Sequence, residues 1–338
     1  MSTILDVAKL AGVSRSTVSR VISGNGVVNE KTRIAVERAI EELHYSPSYF
    51  AQGIKTGKTR TIAMLVPDYS NVFYGEMFRG IEEISLQHGY MVMICNTDKS
   101  STRERNYTED LLKRNVDGIV YNTYKRNNEN LDYFIKLSKK MPVVFMDHLP
   151  FGDEDISYVL TEGYESSKKA VQYLIGKGKK RIGYIRVPAD ISVLQHRFDG
   201  YKQGLIEAGI DPDDSIVYQC PFGEQGKTHL EIGFEGAQAL MGKTNPPDAI
   251  MTSVDTMAVG AIDYLKQAGY KIPADVSVIG FDDIVLSRVV EPKLTTIAQP
   301  ICQLGKEAAK ILIAKIEGNK NIKDKIVFDP EFIIRQST

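Results

Sequence analysis

Tryptophan is absent from this chain of 338 residues, and cysteine occurs three times, at Cys95, Cys220 and Cys302. Three thiols far apart in apolar segments make no disulfide framework and no C-x-x-C pair, and they read as buried and reduced. No apolar run approaches the ~20 residues that span a bilayer. The opening MSTILDVAKL lacks the charged-then-apolar pattern of a secretory signal. Also missing are a G-x-S-x-G elbow, an H-E-x-x-H pair, a metal-spaced Cys/His cluster and a G-x-G-x-x-G turn after the first strand. His44, His88, His148, His196 and His229 are scattered. These absences predict a cytoplasmic protein that is not an enzyme and uses no cofactor and no metal.

Net charge is nearly absent as well, at −1, but it is unevenly spread. Residues 1–60 hold nine Lys/Arg and five Asp/Glu, which leaves 33 basic and 38 acidic side chains for the remainder. A basic front end on an acidic body is expected where one small domain touches phosphate.

What is present starts with Thr3 to Ser23, TILDVAKLAGVSRSTVSRVIS. Thr3 suits the cap of a first helix, and Asp6 suits its positive end. Gly12 permits the left-handed backbone that ends that helix. Ser14 caps a second helix, whose Val18, Val21 and Ile22 face inward and whose Arg15, Ser16, Ser19 and Arg20 face out. Asn29 caps a third helix with Val36, Ile40 and Leu43 on one face, and His44-Tyr45-Ser46-Pro47 ends it. The spacing alone fits an ordinary helical hairpin as well as a helix-turn-helix reader.

The residues narrow the choice. The run from Asp6 to Ile22, D-V-A-x-x-A-G-V-S-x-x-T-V-S-R-V-I, closely resembles the headpiece of the LacI/GalR family of bacterial transcription repressors. The resemblance implies a homodimer on a pseudo-palindromic DNA operator, hence a nucleoid-associated protein. Arg15 and Arg20 would meet base edges or phosphates, and Ser14, Thr17 and Ser19 would grip phosphate. Thr3, Ser16, Asn25, Tyr45, Lys55 and Lys58 complete the DNA-facing set. Residues 46–59, following the headpiece of 1–45, correspond to the family's hinge, which orders on DNA and inserts an apolar wedge into the minor groove. Ile54 takes the wedge position, with Ala51 one turn before it. Isoleucine is stiff at χ1 and Gly53 disfavours helix by roughly 1 kcal/mol relative to alanine, so folding of this hinge should depend strongly on DNA. The stretch from Gly53 to Thr59 mimics a phosphate-binding loop but has one residue too few between its glycines.

From Thr61 onward short apolar strands alternate with amphipathic helices, the signature of a parallel α/β sheet. Strands are expected at 61–67, 90–96, 117–122 and 142–147, then again at 181–186, 216–220, 248–253 and 276–281. The segment LTTIAQP (294–300) and a last helix (301–317) are expected to return the chain to the first half. The fold class is thus an N-terminal all-α helix-turn-helix headpiece plus an α/β body of two doubly wound parallel-sheet subdomains, similar to periplasmic binding proteins. The body is 60–338, with an N-subdomain of about 60–160 plus 298–326 and a C-subdomain of about 161–297 plus 327–338.

Ligands of open parallel sheets sit at the carboxyl ends of strands. That rule selects Asp68, Asn71, Phe73, Tyr74, Asp147, His148, Asp190, Ser192, Arg197, Phe222, Asp255, Asp282, Asp283 and Gln299. Carboxylates, amides, an arginine fork and aromatic faces suit a polyhydroxylated small-molecule effector. Phe73, Asp147, Arg197, Asp282 and Gln299 match positions that bind sugar in the resembling family. Val254 departs from it, standing where asparagine is usual. Asp255 and Asp282 could instead cap helices, Arg197 could pair with a carboxylate, and Tyr74 could simply pack. The body alone would also fit a solute-binding protein for transport, which the basic headpiece argues against. Within the regulator reading, P-D-Y-S-N-V-F-Y (67–74) and the ending I-R-Q-S-T (334–338) are similar to a catabolite-control subgroup whose corepressor is a phosphorylated carrier protein.

Overall fold

Val7, Ala8, Val18, Val36 and Ala39 form the buried centre of a three-helix unit. The computed structural model describes residues 2–23, 27–45, 58–122, 130–146, 155–187, 192–220, 227–319 and 321–338, with the backbone alone at Ser23 and Ser192. Met1–Arg60 and Thr61–Thr338 are two compact units. In the first, α1 (Ile4–Leu10) starts at a reciprocal cap. The Thr3 hydroxyl accepts from the Asp6 amide, and the Asp6 carboxylate accepts from the Thr3 amide at 2.8 Å. Gly12, at φ 65°, turns the chain into α2 (Arg15–Ser23). In α3 (Glu30–Glu42) the Asn29 side chain accepts from the Thr32 amide at 2.8 Å.

The larger unit holds two six-stranded sheets. The first contains β1 (Thr61–Val66), β2 (Met91–Asn96), β3 (Gly118–Asn122), β4 (Val143–Met146), β5 (Ser157–Thr161) and β11 (Lys325–Phe328). All its pairings are parallel, in the order β11-β5-β4-β3-β1-β2. The second contains β6 (Ile182–Arg186), β7 (Val217–Gln219), β8 (Ala249–Thr252), β9 (Ser277–Asp282), β10 (Thr295–Ala298) and β12 (Glu331–Ile333). Its order is β12-β10-β9-β8-β6-β7, parallel except where β12 runs against β10. In each sheet the chain reverses its direction of travel beside one strand, β1 in the first and β6 in the second. Such switch points open a crevice at the carboxyl ends.

Helices α4 (Val72–Gln87), α5 (Ser101–Lys113) and α6 (Leu131–Ser138) serve the first sheet. Helices α7 (Tyr164–Gly176), α8 (Ser192–Glu207), α9 (His229–Met241) and α10 (Asp255–Gln267) serve the second, with the short α11 (Val285–Val289) after β9. On α4, Met77, Ile81 and Ile84 bury one stripe, each contributing about 1.5–3 kcal/mol.

The last long helix, α12 (Ile301–Ile316), packs on α4 so closely that a Cβ at Gly80 would meet the Cys302 carbonyl and one at Gly305 the Met77 carbonyl. The return to the first sheet therefore occurs at α12. The preceding segment, expected to return with it, stays in the second sheet, because β10 pairs with β9 from Thr295↔Ile279 to Ala298↔Asp282. Strands β5, β11 and β12 and helix α11 were not anticipated. In β11 and β12 no position is fully buried, so neither carries the buried apolar run that marks short strands such as β4 and β8.

Candidate functional site

On the headpiece, Arg15, Ser16 and Arg20 are exposed along one side of α2, and Val18 on the other side is wholly buried. Thr17 and Ser19 are half-buried. Ser14 holds the first turn: its hydroxyl accepts from the Thr17 amide at 3.2 Å and shares bonds with the Ser16 and Thr17 hydroxyls. Thr3 has its hydroxyl on the Asp6 carboxylate at 2.7 Å. That bond, above all, holds the Asp6 pKa below its usual value. Tyr45 packs half-buried against the three-helix core, and its amide donates to the Ile40 carbonyl. Asn25, Ala51, Ile54 and Lys55 lie outside the described residues, and Lys58 is half-buried in the same compact unit.

In the body, Arg197, Asp282 and Gln299 come together although they lie far apart in sequence. One oxygen of Asp282 accepts from Arg197 Nη1 at 3.3 Å and from Gln299 Nε2 at 2.7 Å. The same Nη1 donates to the Ser253 carbonyl at 2.7 Å, and the guanidinium lies 3.6 Å above the Phe281 ring. All three polar side chains are buried. The backbone here is strained, with φ of 126° at Asp282 and 58° at Asp283, both in a region that side chains other than glycine rarely enter.

That strain is held from outside. Asp283 pairs with Arg335 at 2.6 Å and with Arg288 at 2.8 Å. Asp255 is completely buried; its carboxylate accepts from the Ile284 amide and from the Ser287 and Thr296 hydroxyls. Burial pushes the Asp255 pKa up, and the three donors oppose that rise. Asp255 thus ties the start of α10 to the loop after Asp282. Val254 is the N-cap of α10 and contributes no side-chain cap.

On the first sheet, Phe73 is 5% exposed and meets Tyr74 edge-on at 5.3 Å. It shares an apolar cluster with Ile284, two residues past Asp282. The Asn71 side chain caps α4 by accepting from the Phe73 amide, and Asp68 accepts from the Ser70 amide and hydroxyl. Asp147, His148, Asp190 and Phe222 lie outside the described residues, as does the side chain of Ser192.

The structure adds residues that the sequence reading passed over. Asn122 ends β3 and Thr161 ends β5; both are buried. Asn122 Oδ1, Thr161 Oγ1 and Gln299 Oε1 have no hydrogen-bond partner among the described residues. The two amide orientations are fixed by chemistry. Asn122 Nδ2 donates to the Leu65 carbonyl and Gln299 Nε2 to the Asp282 carboxylate, so the unmatched atoms are oxygens. His229, at the head of α9, has a buried Nε2 without a partner among the described residues. Burial lowers its pKa to about 4; the charge of Lys99 adds to this and that of Asp68 opposes it. A signal for Asn122 was available: it is the polar end of an apolar strand, which is the carboxyl-end rule itself.

Two family descriptions match the chain: bacterial regulatory proteins of the lacI family over residues 3–48, and the periplasmic binding protein-like domain over 171–338. It is 35% identical over 341 residues to the HTH-type transcriptional regulator DegA of Bacillus subtilis (strain 168), covering 100% of this chain and 98% of that protein. With the ribose operon repressor of Escherichia coli (strain K12) it shares 37% over 320 residues, covering 94% and 93%. The solved lac repressor dimer, bound to operator and the anti-inducer ONPF, superposes with a TM-score of 0.87 at 25% identity, covering 100% of this chain and 99% of that one.

Proposed function

Because the chain belongs to the lacI family of bacterial regulatory proteins, we propose that it is a repressor acting as a homodimer, with operator affinity set by a polyhydroxylated small molecule in the body. It is a DNA-binding transcription regulator with a periplasmic-binding-protein-like body. Arg15 and Arg20 offer guanidinium forks to base edges, arginine on guanine being the commonest specific contact. Ser14, Ser16, Thr17 and Ser19 hold phosphates and so fix the register of α2 in the major groove. Thr3, Asn25, Tyr45, Lys55 and Lys58 add backbone contacts, and Ala51 and Ile54 form the minor-groove wedge.

A second copy is favoured by the exposed edge strand β2, where Met91 is 64% and Ile94 44% exposed. An apolar sheet edge of this kind calls for cover.

The observation that carries the effector reading is the set of buried oxygens without donors among the described residues: Asn122 Oδ1, Gln299 Oε1 and Thr161 Oγ1. A buried acceptor left unmatched costs about 1–3 kcal/mol, so a ligand rich in hydroxyl donors gains what the protein alone forgoes. Arg197 and Asp282 orient it, and Asp255 shapes the loop without touching the ligand. Phe73 and Tyr74 offer apolar faces to a ring, and Asp68 and Asn71 line its approach; Phe222, Asp147, His148 and Ser192 are assigned to the ligand from their positions after the strands in the sequence alone. Ligand in the crevice favours one arrangement of the two sheets, and that preference is the coupling energy passed to the DNA-binding end.

Two measurements test the reading. Selection of duplexes from a random pool should enrich a two-fold symmetric site. Calorimetric screening of sugars and sugar derivatives should find a ligand whose affinity falls about tenfold or more in Asp282→Asn. No enrichment, or a ligand indifferent to Asp282, contradicts it.

A further inference from the structure

Arg186 is the last residue of β6, the strand beside which the second sheet switches direction. It is 4% exposed. A buried guanidinium is normally paired with a carboxylate, because an isolated buried charge is costly. Arg186 makes no such pair among the described residues. Nε donates to the Val187 carbonyl at 3.1 Å and Nη2 to the Gln195 side-chain oxygen at 2.7 Å, both neutral acceptors. The guanidinium lies 4.1 Å above the Phe198 ring. Asp199 acts on Arg186 only at longer range, its own oxygen being bonded by Gln195 Nε2 at 2.6 Å. A guanidinium has five N–H groups, so three remain without an acceptor among the described residues, including both on Nη1.

The placement gives this charge a use. The Ser253 amide donates to the Ile185 carbonyl, which sets Arg186 beside Ser253 across the switch between β6 and β8. Arg197 reaches that same Ser253 carbonyl on its way to Asp282. With strands about 4.8 Å apart, β6 and β9 stand about 10 Å apart along this edge. Gln195 stands in the first turn of the sixteen-residue α8, so the positive end of that helix adds to the field.

We infer that the effector is an anionic polyol, a sugar phosphate or sugar acid, with its hydroxyls toward Asp282 and Gln299 and its oxyanion on Arg186. This rests on the polyol reading above and extends it. Arg186 selects for charge; Asp282 and Gln299 select for hydroxyls. Burial already lowers the pKa of the arginine, and an oxyanion at Nη1 offsets that cost.

Calorimetry on the full chain tests this with ribose against its phosphate monoester, and glucose against its phosphate monoester and gluconate. In at least one pair the anionic member should bind about tenfold tighter or more. Arg186→Gln should remove that advantage while changing neutral-sugar affinity less than about twofold. The phosphate and carboxylate arms tell which oxyanion is taken. If Arg186→Gln fails to fold, the wild-type comparison still decides, and Arg186→Lys, which keeps the charge without the fork, should keep only part of the preference. Neutral sugars binding as tightly as their anionic partners, or a preference untouched by Arg186→Gln, overturns the inference and leaves the polyol reading standing. No binding by any of these sugars overturns both.

Discussion

At the residue scale the molecule contains a group whose titration is readable. His229 sits at the head of α9 with Nε2 buried, and its pKa falls from 6.5 to about 4. The folded state therefore keeps the ring neutral where the unfolded chain takes a proton. Between these values the unfolded state binds more protons, so stability rises with pH. The contribution is complete above pH 6.5 and is lost as pH falls toward 4. The loss amounts to roughly 3 kcal/mol. Urea unfolding of wild type and His229→Gln across this window should give curves whose difference grows steeply toward acid; parallel curves would contradict the assignment. Legibility divides at this same scale. Arg197, Asp282 and Gln299 could be chosen from sequence because each ends or follows an apolar strand. Asp255 met the same rule, yet its carboxylate serves Ile284, Ser287 and Thr296. Those partners lie 29 to 41 positions away, and no local pattern encodes them.

At the element scale the long strands declared themselves by composition. TIAMLV and SVIGFD are apolar runs buried almost throughout. By contrast, KIVF alternates exposed and half-buried positions and EFI has one exposed and two half-buried residues, and only pairing with β5 and β10 makes them strands. Helix packing left a different mark. Gly80 and Gly305 place the backbones of α4 and α12 in contact, each facing a carbonyl that cannot step aside. Gly305→Ala should cost about 1–3 kcal/mol by overpacking, read as a lower urea midpoint at unchanged slope. Gly176→Ala is the control, since open space surrounds that Cβ position, and a change within about 0.5 kcal/mol is expected. Equal effects at both sites would mean that close packing is not what Gly305 provides.

At the scale of the whole molecule there are two units, the basic headpiece of α1 to α3 and the two-sheet body. Dimer formation through β2 predicts that Ile94→Lys, at a position 44% exposed in the single chain, shifts sedimentation toward monomer without lowering the urea midpoint. A dimer indifferent to Ile94→Lys would place the interface elsewhere. The same variant should weaken operator binding, because two reading helices must act together on a symmetric site. The central claim is the coupling between DNA and crevice. Its most direct test is fluorescence anisotropy with the selected operator duplex, comparing Kd with and without saturating sugar ligand at fixed salt. The account predicts a change of about 5- to 150-fold in wild type and none in Asp282→Asn. An operator Kd that is the same with the crevice filled or empty would contradict it.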